Sequence, residues 1–251
     1  MFAELKNSAA HKLDDDEVRH LGAIPQNLDS HPTATSYFRP FPIERMKRTP
    51  KTSTEDIDGG EKVYSTLCHQ FSTFLRVDQD GNQVDTLAGQ SEWHGRDLDE
   101  NVLVDKYEAF ADLGQSMLAP STADIRSVDG RHHGNPHIQV ITVHYERPVE
   151  ELLRTEILTL SGITITRLGA LSLTDYRVMP VMDVSCFQGA RARILQAFMT
   201  DAGLVICKTK LCDFSDHETR DDAIEQCLSY MASTPIEDTK SLNYKLPPGD
   251  G

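Results

Sequence analysis

From residue 177 to 212 the chain runs through three apolar segments, RVMPVMDVSCF, RARILQAFMT and GLVICKTKLC, joined by FQGA and TDAG. Val, Ile, Phe and Met at near-continuous spacing, broken by Gly-containing turns, read as strands. ITITRLGALSLT (163–174) precedes them and is just as rich in β-branched residues. Together they predict a four-strand antiparallel meander over about 163–212. Its residues are apolar on both faces, so the sheet must be covered on both sides.

Helices supply that cover. RPVEELLRTEILTLSG (147–162) places Val149, Leu152, Leu153, Ile157 and Leu160 on one stripe, with Pro148 in the first turn and Gly162 as the stop. Ser215-Asp-His-Glu218 has the spacing of a capping box. It is expected to open a helix that turns Ile224, Cys227, Leu228 and Met231 inward and ends before Thr234-Pro235. Upstream, Val63, Leu67, Phe71 and Phe74 fit a helical face. FLRVDQDGNQVDTL follows as a hairpin around Asp80-Gly81, with Val77 facing Val84. Asp97-Leu-Asp-Glu100 is expected to begin a helix running to about Leu113, and ADIRSVDGRHHGNPHIQVITVHYE to give two strands joined by a histidine-rich loop. The fold class is α+β: an antiparallel sheet flanked by helices, with an additional N-terminal helix and hairpin portion.

Residues 1–58 read as a disordered or extended arm, because five prolines between Pro25 and Pro50 and scattered apolar residues bury too little surface to offset ordering. Residues 59–235 form the single α+β domain, and 236–251 a flexible tail. Within the arm, SYFRPFP (36–42) interleaves aromatics and prolines. Tyr37, Phe38 and Phe41 are therefore the candidate residues for binding a protein partner.

Charge and cysteines narrow the class. The net charge is −14 over 251 residues, which opposes a nucleic-acid partner. No apolar run is long enough to span a membrane, and the N-terminus lacks the apolar core of a secretory signal. Five cysteines, an odd and sparse set mostly inside apolar segments, suit a reducing compartment: cytoplasmic, or else nuclear.

Three constellations could carry chemistry. RHHGNPH puts His132, His133 and His137 within seven positions, a candidate metal set. His144, seven residues beyond His137 on a strand, must point to the opposite face. Asp183 interrupts an apolar run, and a buried carboxylate is costly unless paired or used. An acid in a three-strand sheet flanked by helices resembles, in outline, metal-dependent nucleases of the restriction-enzyme type. That chemistry needs Glu-x-Lys or Asp-x-Lys on the next strand, where this chain has Gln196-Ala-Phe198. With Gln188-Gly189 as the turn, Asp183 faces Ile194; with Ala202-Gly203 as the next, Lys208 and Lys210 project to the other face. Cys186 is a candidate nucleophile at a strand end, if a base lies beside it.

No glycine-rich phosphate loop, Gly-x-Ser-x-Gly or His-Glu-x-x-His motif occurs. The expected function is an intracellular, non-enzymatic protein-interaction domain that needs no cofactor. The alternative is a divalent-metal-dependent hydrolase, nuclease-like and degenerate, centred on Asp183 or on the His132–His137 loop.

Overall fold

A computed structural model describes residues 5, 10, 12–28, 37–42, 56–77, 82–91, 93–97, 126–130, 136–144, 146–168, 174–236 and 239–240. The fold is mixed α+β. Its centre is an eight-stranded mixed sheet built from β2 (Ala23–Asn27), β6 (Trp93–Asp97), β7 (Arg126–Gly130), β8 (Ile138–His144), β10 (Val181–Phe187), β11 (Arg191–Thr200), β12 (Gly203–Lys208) and β13 (Cys212–Asp213). The spatial order is β2-β12-β11-β10-β8-β7-β6, with β13 paired to β11. Two-residue strands make three small ladders outside this sheet: β1 (Lys12–Leu13) with β9 (Leu152–Leu153), β3 (Phe38–Arg39) with β14 (Thr234–Pro235), and β4 (Arg76–Val77) with β5 (Gln83–Val84).

The helices cover both faces. Five are described: α1 (Asp15–His20), α2 (Gly60–Ser72), α3 (Leu87–Gln90), α4 (Arg154–Leu168) and α5 (Arg220–Met231). One apolar core joins Val63, Leu67 and Phe71 of α2 and Ile224, Cys227 and Leu228 of α5 to Met182, Val184, Ile194 and Phe198 of the sheet. A second, on the other face, joins Val18 of α1 and Ile157, Leu160 and Ile163 of α4 to Val140, Val181, Leu195 and Ile206. No helix among the described residues is long and apolar enough to cross a membrane.

The predicted four-strand meander is corrected to three strands. β10, β11 and β12 form it, but ITIT (163–166) belongs to helix α4, which runs through Gly162 and ends at Leu168. Local β propensity lost to burial here: Ile157 to Thr164 is enclosed throughout, and Thr159 and Thr164 return their hydroxyls to the carbonyls four residues back. The flanking partners are parallel rather than antiparallel. β8 runs beside β10, with α4 as the crossover between them, and β2 runs beside β12.

Other expectations shift by small steps. α2 buries Val63, Leu67 and Phe71 but ends before Phe74. The hairpin after it pairs Arg76 with Val84 and Val77 with Gln83, one residue away from the expected register, while its Asp80-Gly81 turn lies outside the described residues. α5 begins at Arg220, not near Ser215; Asp213 and Asp216 use their carboxylates on the turn at Ser215 and Glu218 instead. Asp97 ends strand β6, and the helix expected after it lies outside the described residues.

Within the stretch read as an arm, residues 12–28 fold onto the sheet. Asp14 caps α1 by accepting the N–H groups of Asp16 and Glu17, and the Glu17 carboxylate accepts the N–H of Asp14. This is a complete capping box at the start of a helix that delivers β2 to the sheet edge.

Candidate functional site

Strand alternation decides which side chains meet on the α4 face. β8 contributes Val140, Thr142 and His144; β10 contributes Val181, Asp183, Ser185 and Phe187; β11 contributes Arg193 and Leu195. Register aligns Thr142 with Ser185, Ser185 with Arg193, and His144 with Phe187. Helix α4 crosses over them, bringing Thr155 and Glu156 down onto the polar set.

Asp183 is fully buried. Its two carboxyl oxygens each lie 3.0 Å from the Thr142 hydroxyl, and Ser185 donates to one of them at 2.8 Å. Burial pushes its pKa up to about 7; the Ser185 and Thr142 hydrogen bonds oppose that rise, the Glu156 charge adds to it and the Arg193 charge opposes it. His144 is buried beside it, its Nε2 3.0 Å from Thr142 Oγ1 and its Nδ1 3.2 Å from Thr155 Oγ1. Burial lowers its pKa to about 4, so the ring is neutral at pH 7.

Arg193 and Glu156 form an ion pair with both side chains wholly enclosed. Arg193 Nε donates to Glu156 Oε1 at 2.7 Å, and Nη2 donates to Oε2. Nη1 donates to the carbonyls of Val149 and Glu150, each at 3.1 Å, and Nη2 also donates to the carbonyl of Glu151 at 2.9 Å. All five guanidinium N–H groups are therefore used. Glu156 Oε2 also accepts the N–H of Leu153 at 2.7 Å, tying down the start of α4. The guanidinium lies 5.4 Å over the Phe187 ring, which in turn stacks on His144 at 5.1 Å.

The turn after β10 sets this register. Gln188, Gly189 and Ala190 form a three-residue turn, with Gly189 and Ala190 both at positive φ. The two-residue turn expected from sequence is thereby corrected: Asp183 pairs with Leu195, not Ile194. The next turn uses Asp201-Ala202, so Lys208 pairs with Leu195 and shares the Asp183 face. Its ammonium donates to the carbonyl of Glu150.

Where the two parallel strands β8 and β10 end, a cavity of about 400 Å³ is lined by Val143, His144, Gln188, Gly189 and the start of α2 from Asp58 to Lys62. Gly60 lets α2 sit against the strand end: a Cβ there would meet the Phe187 carbonyl carbon at 3.0 Å.

The other candidates fall elsewhere. His137 lies on the opposite face from His144, as strand alternation requires, and its Nε2 is 3.1 Å from the Ile236 carbonyl. Burial lowers its pKa to about 4. His132 and His133 lie outside the described residues. Cys186 is fully buried on the apolar face, and burial raises its thiol pKa, the reverse of what a thiolate nucleophile needs. None of the five cysteines is joined in a disulfide. Among the described residues, no group of three or more His, Cys, Asp and Glu is placed to hold a metal ion.

Of the aromatic strip, Phe38 is fully buried, stacked on Trp93 and edge-on to His137. It belongs to the core. Tyr37 and Phe41 are half-buried at the margin of that core. Sequence reasoning missed the Arg193–Glu156 pair. The available signal was Glu156 itself, an acid set between Leu153 and Ile157 on an apolar helical stripe, which demands a buried cation. Protein-family models, curated proteins and solved structures contain no match to this chain.

Proposed function

We propose that the chain is a non-enzymatic protein-interaction domain of the cytoplasm or nucleus, which contacts its partner through Tyr37 and Phe41. The observation that carries this reading is the pinning of the strip that bears them. Phe41 N–H donates to the Ser229 carbonyl at 2.8 Å, Ser229 Oγ donates back to the Phe41 carbonyl, and the Ile236 N–H donates to the Tyr37 carbonyl at 2.8 Å. Tyr37 is set edge-on to Phe198 at 4.9 Å. Two partly exposed aromatics on a fixed backbone bind with little ordering cost. The buried polar set supports a structural role in the same reading, because its charges and hydroxyls are engaged with one another beneath α4.

A second reading, a divalent-metal-dependent hydrolase at Asp183, gains one observation: Lys208 shares the Asp183 face. Against it, the Glu156 carboxylate is committed to Arg193.

The test uses the full chain. Partners recovered by proximity labelling in cells are compared for wild type, Tyr37→Ala/Phe41→Ala and Asp183→Asn, with thermal melts to confirm folding. The double variant loses the recovered partners and Asp183→Asn keeps them. Unchanged recovery by a folded double variant contradicts the proposal. So does Mn²⁺-dependent phosphodiester hydrolysis by wild type that Asp183→Asn abolishes.

A further inference from the structure

We propose that Thr155, His144, Thr142 and Asp183 form a proton-conducting hydrogen-bond chain, in which proton uptake by Asp183 reverses the tautomer of His144. This does not depend on the protein-interaction reading.

The geometry fixes the polarity of the chain. Thr142 has one hydroxyl hydrogen, yet its oxygen is 3.0 Å from both Asp183 oxygens and 3.0 Å from His144 Nε2. Ser185 Oγ is farther off at 3.5 Å and itself donates to Asp183, so Thr142 gives its hydrogen to Asp183 or to His144 and accepts from the other. With Asp183 ionised, Thr142 donates to the carboxylate, so Nε2 must carry the ring hydrogen and donate to Thr142. Nδ1 is then bare and accepts from Thr155 Oγ1 at 3.2 Å. With Asp183 protonated, the carboxyl donates to Thr142, Thr142 donates to a bare Nε2, and Nδ1–H donates to Thr155.

The two states interconvert by a balanced set of hops. The Thr155 hydroxyl hydrogen passes to Nδ1, and Thr155 is re-protonated from outside. The Nε2 hydrogen passes to Thr142, and the former Thr142 hydrogen passes to Asp183. One proton enters and one is stored; the imidazole carries a single hydrogen before and after. Exposure rises from 0% at Asp183 through 1% at Thr142 and 4% at His144 to 7% at Thr155, and His144 lines the cavity at the strand ends, so the Thr155 end of the chain is the one closer to solvent.

The surrounding charges permit this. The titratable and charged groups on the Asp183 face are His144 from β8, Glu156 from α4, Arg193 from β11 and Lys208 from β12, while Cys186 on its own strand points to the opposite face. Glu156 and Arg193 neutralise each other, and the Lys208 ammonium of β12 is held by the Glu150 carbonyl. Burial holds His144 neutral, while Asp183 titrates near neutrality.

The experiment is ¹⁵N NMR of the full chain with labelled histidine, titrated from about pH 5.5 to 8.5. The His144 Nδ1 and Nε2 signals exchange their protonated and bare positions across neutrality. Thr142→Ser keeps the exchange, and Thr142→Val abolishes it. If Thr142→Val does not fold, Asp183→Asn must hold one tautomer throughout. One tautomer at every pH in wild type, a doubly protonated ring within this range, or an exchange that survives in Thr142→Val or Asp183→Asn overturns the proposal.

Discussion

On one face of β10, Met182, Val184 and Cys186 meet the apolar helices α2 and α5; on the other, Asp183 and Ser185 meet Thr142, Arg193 and the start of α4. The same three strands carry both faces, and both are equally closed to water. The apolar face is held by contacts that any residue of similar shape can make. The polar face is held by partners of one kind only, because each buried charge or hydroxyl needs its own complement. Loss on the first face is expected to scale with volume, and loss on the second to be set by what is left unpaired.

Adjacent residues of β11 test this difference most sharply. Arg193 points to the polar face and Ile194 to the apolar one, and both are fully buried. Arg193→Met leaves Glu156 charged and enclosed without its cation. A loss of about 3–5 kcal/mol in denaturant unfolding is expected. Ile194→Val removes one methylene group and is expected to cost about 0.5–1.5 kcal/mol. Equal losses at the two positions would dissolve the contrast.

Between these lies the pH dependence. Asp183 is raised from 3.8 to about 7, so between those values the folded state holds a proton that the unfolded state releases, and stability falls as pH rises. His137 and His144 are each lowered from 6.5 to about 4, so in that window the unfolded state binds the extra proton and stability falls as pH drops. From pH 6.5 down to about 4, two histidine contributions oppose one from Asp183. Wild type should therefore lose about 1.4 kcal/mol per pH unit on acidification, and Asp183→Asn about twice that. Urea unfolding across this range checks the slopes; a variant with the wild-type slope would show that Asp183 does not titrate there. The smallest effect belongs to neither face. Leu75 is an exposed apolar residue, and Leu75→Ser is expected to stay within about 0.5 kcal/mol in a thermal melt.

The local part of this fold is legible in the sequence. The turns at Gly189 and Ala202 mark β10, β11 and β12, and the apolar spacing marks α2 and α5, because these signals need only neighbouring residues. Register is less so: two positive-φ residues in one turn, Gly189 and Ala190, shift Asp183 by a residue and bring Lys208 to its face. The parallel neighbours are not legible, since nothing local pairs Val140 with Asp183 or Ile206 with Pro25. The helicity of the β-branched run 163–166 is hidden for the same reason: burial of Ile163 and Thr164 against distant strands, not propensity, makes it part of α4. Asp183 announces itself by interrupting an apolar strand, but its hydroxyl partner Thr142 stands 41 residues upstream. Asp14-x-x-Glu17 is a readable helix start in a stretch whose prolines point to an arm.

The central claim is that the enclosed charges on the α4 face serve one another. The direct measurement is denaturant unfolding of Glu156→Leu/Arg193→Met beside Arg193→Met alone. Removing both partners leaves no orphaned charge, so the double variant should return to within about 1 kcal/mol of wild type while the single remains far below it. A double variant no more stable than the single would contradict the claim.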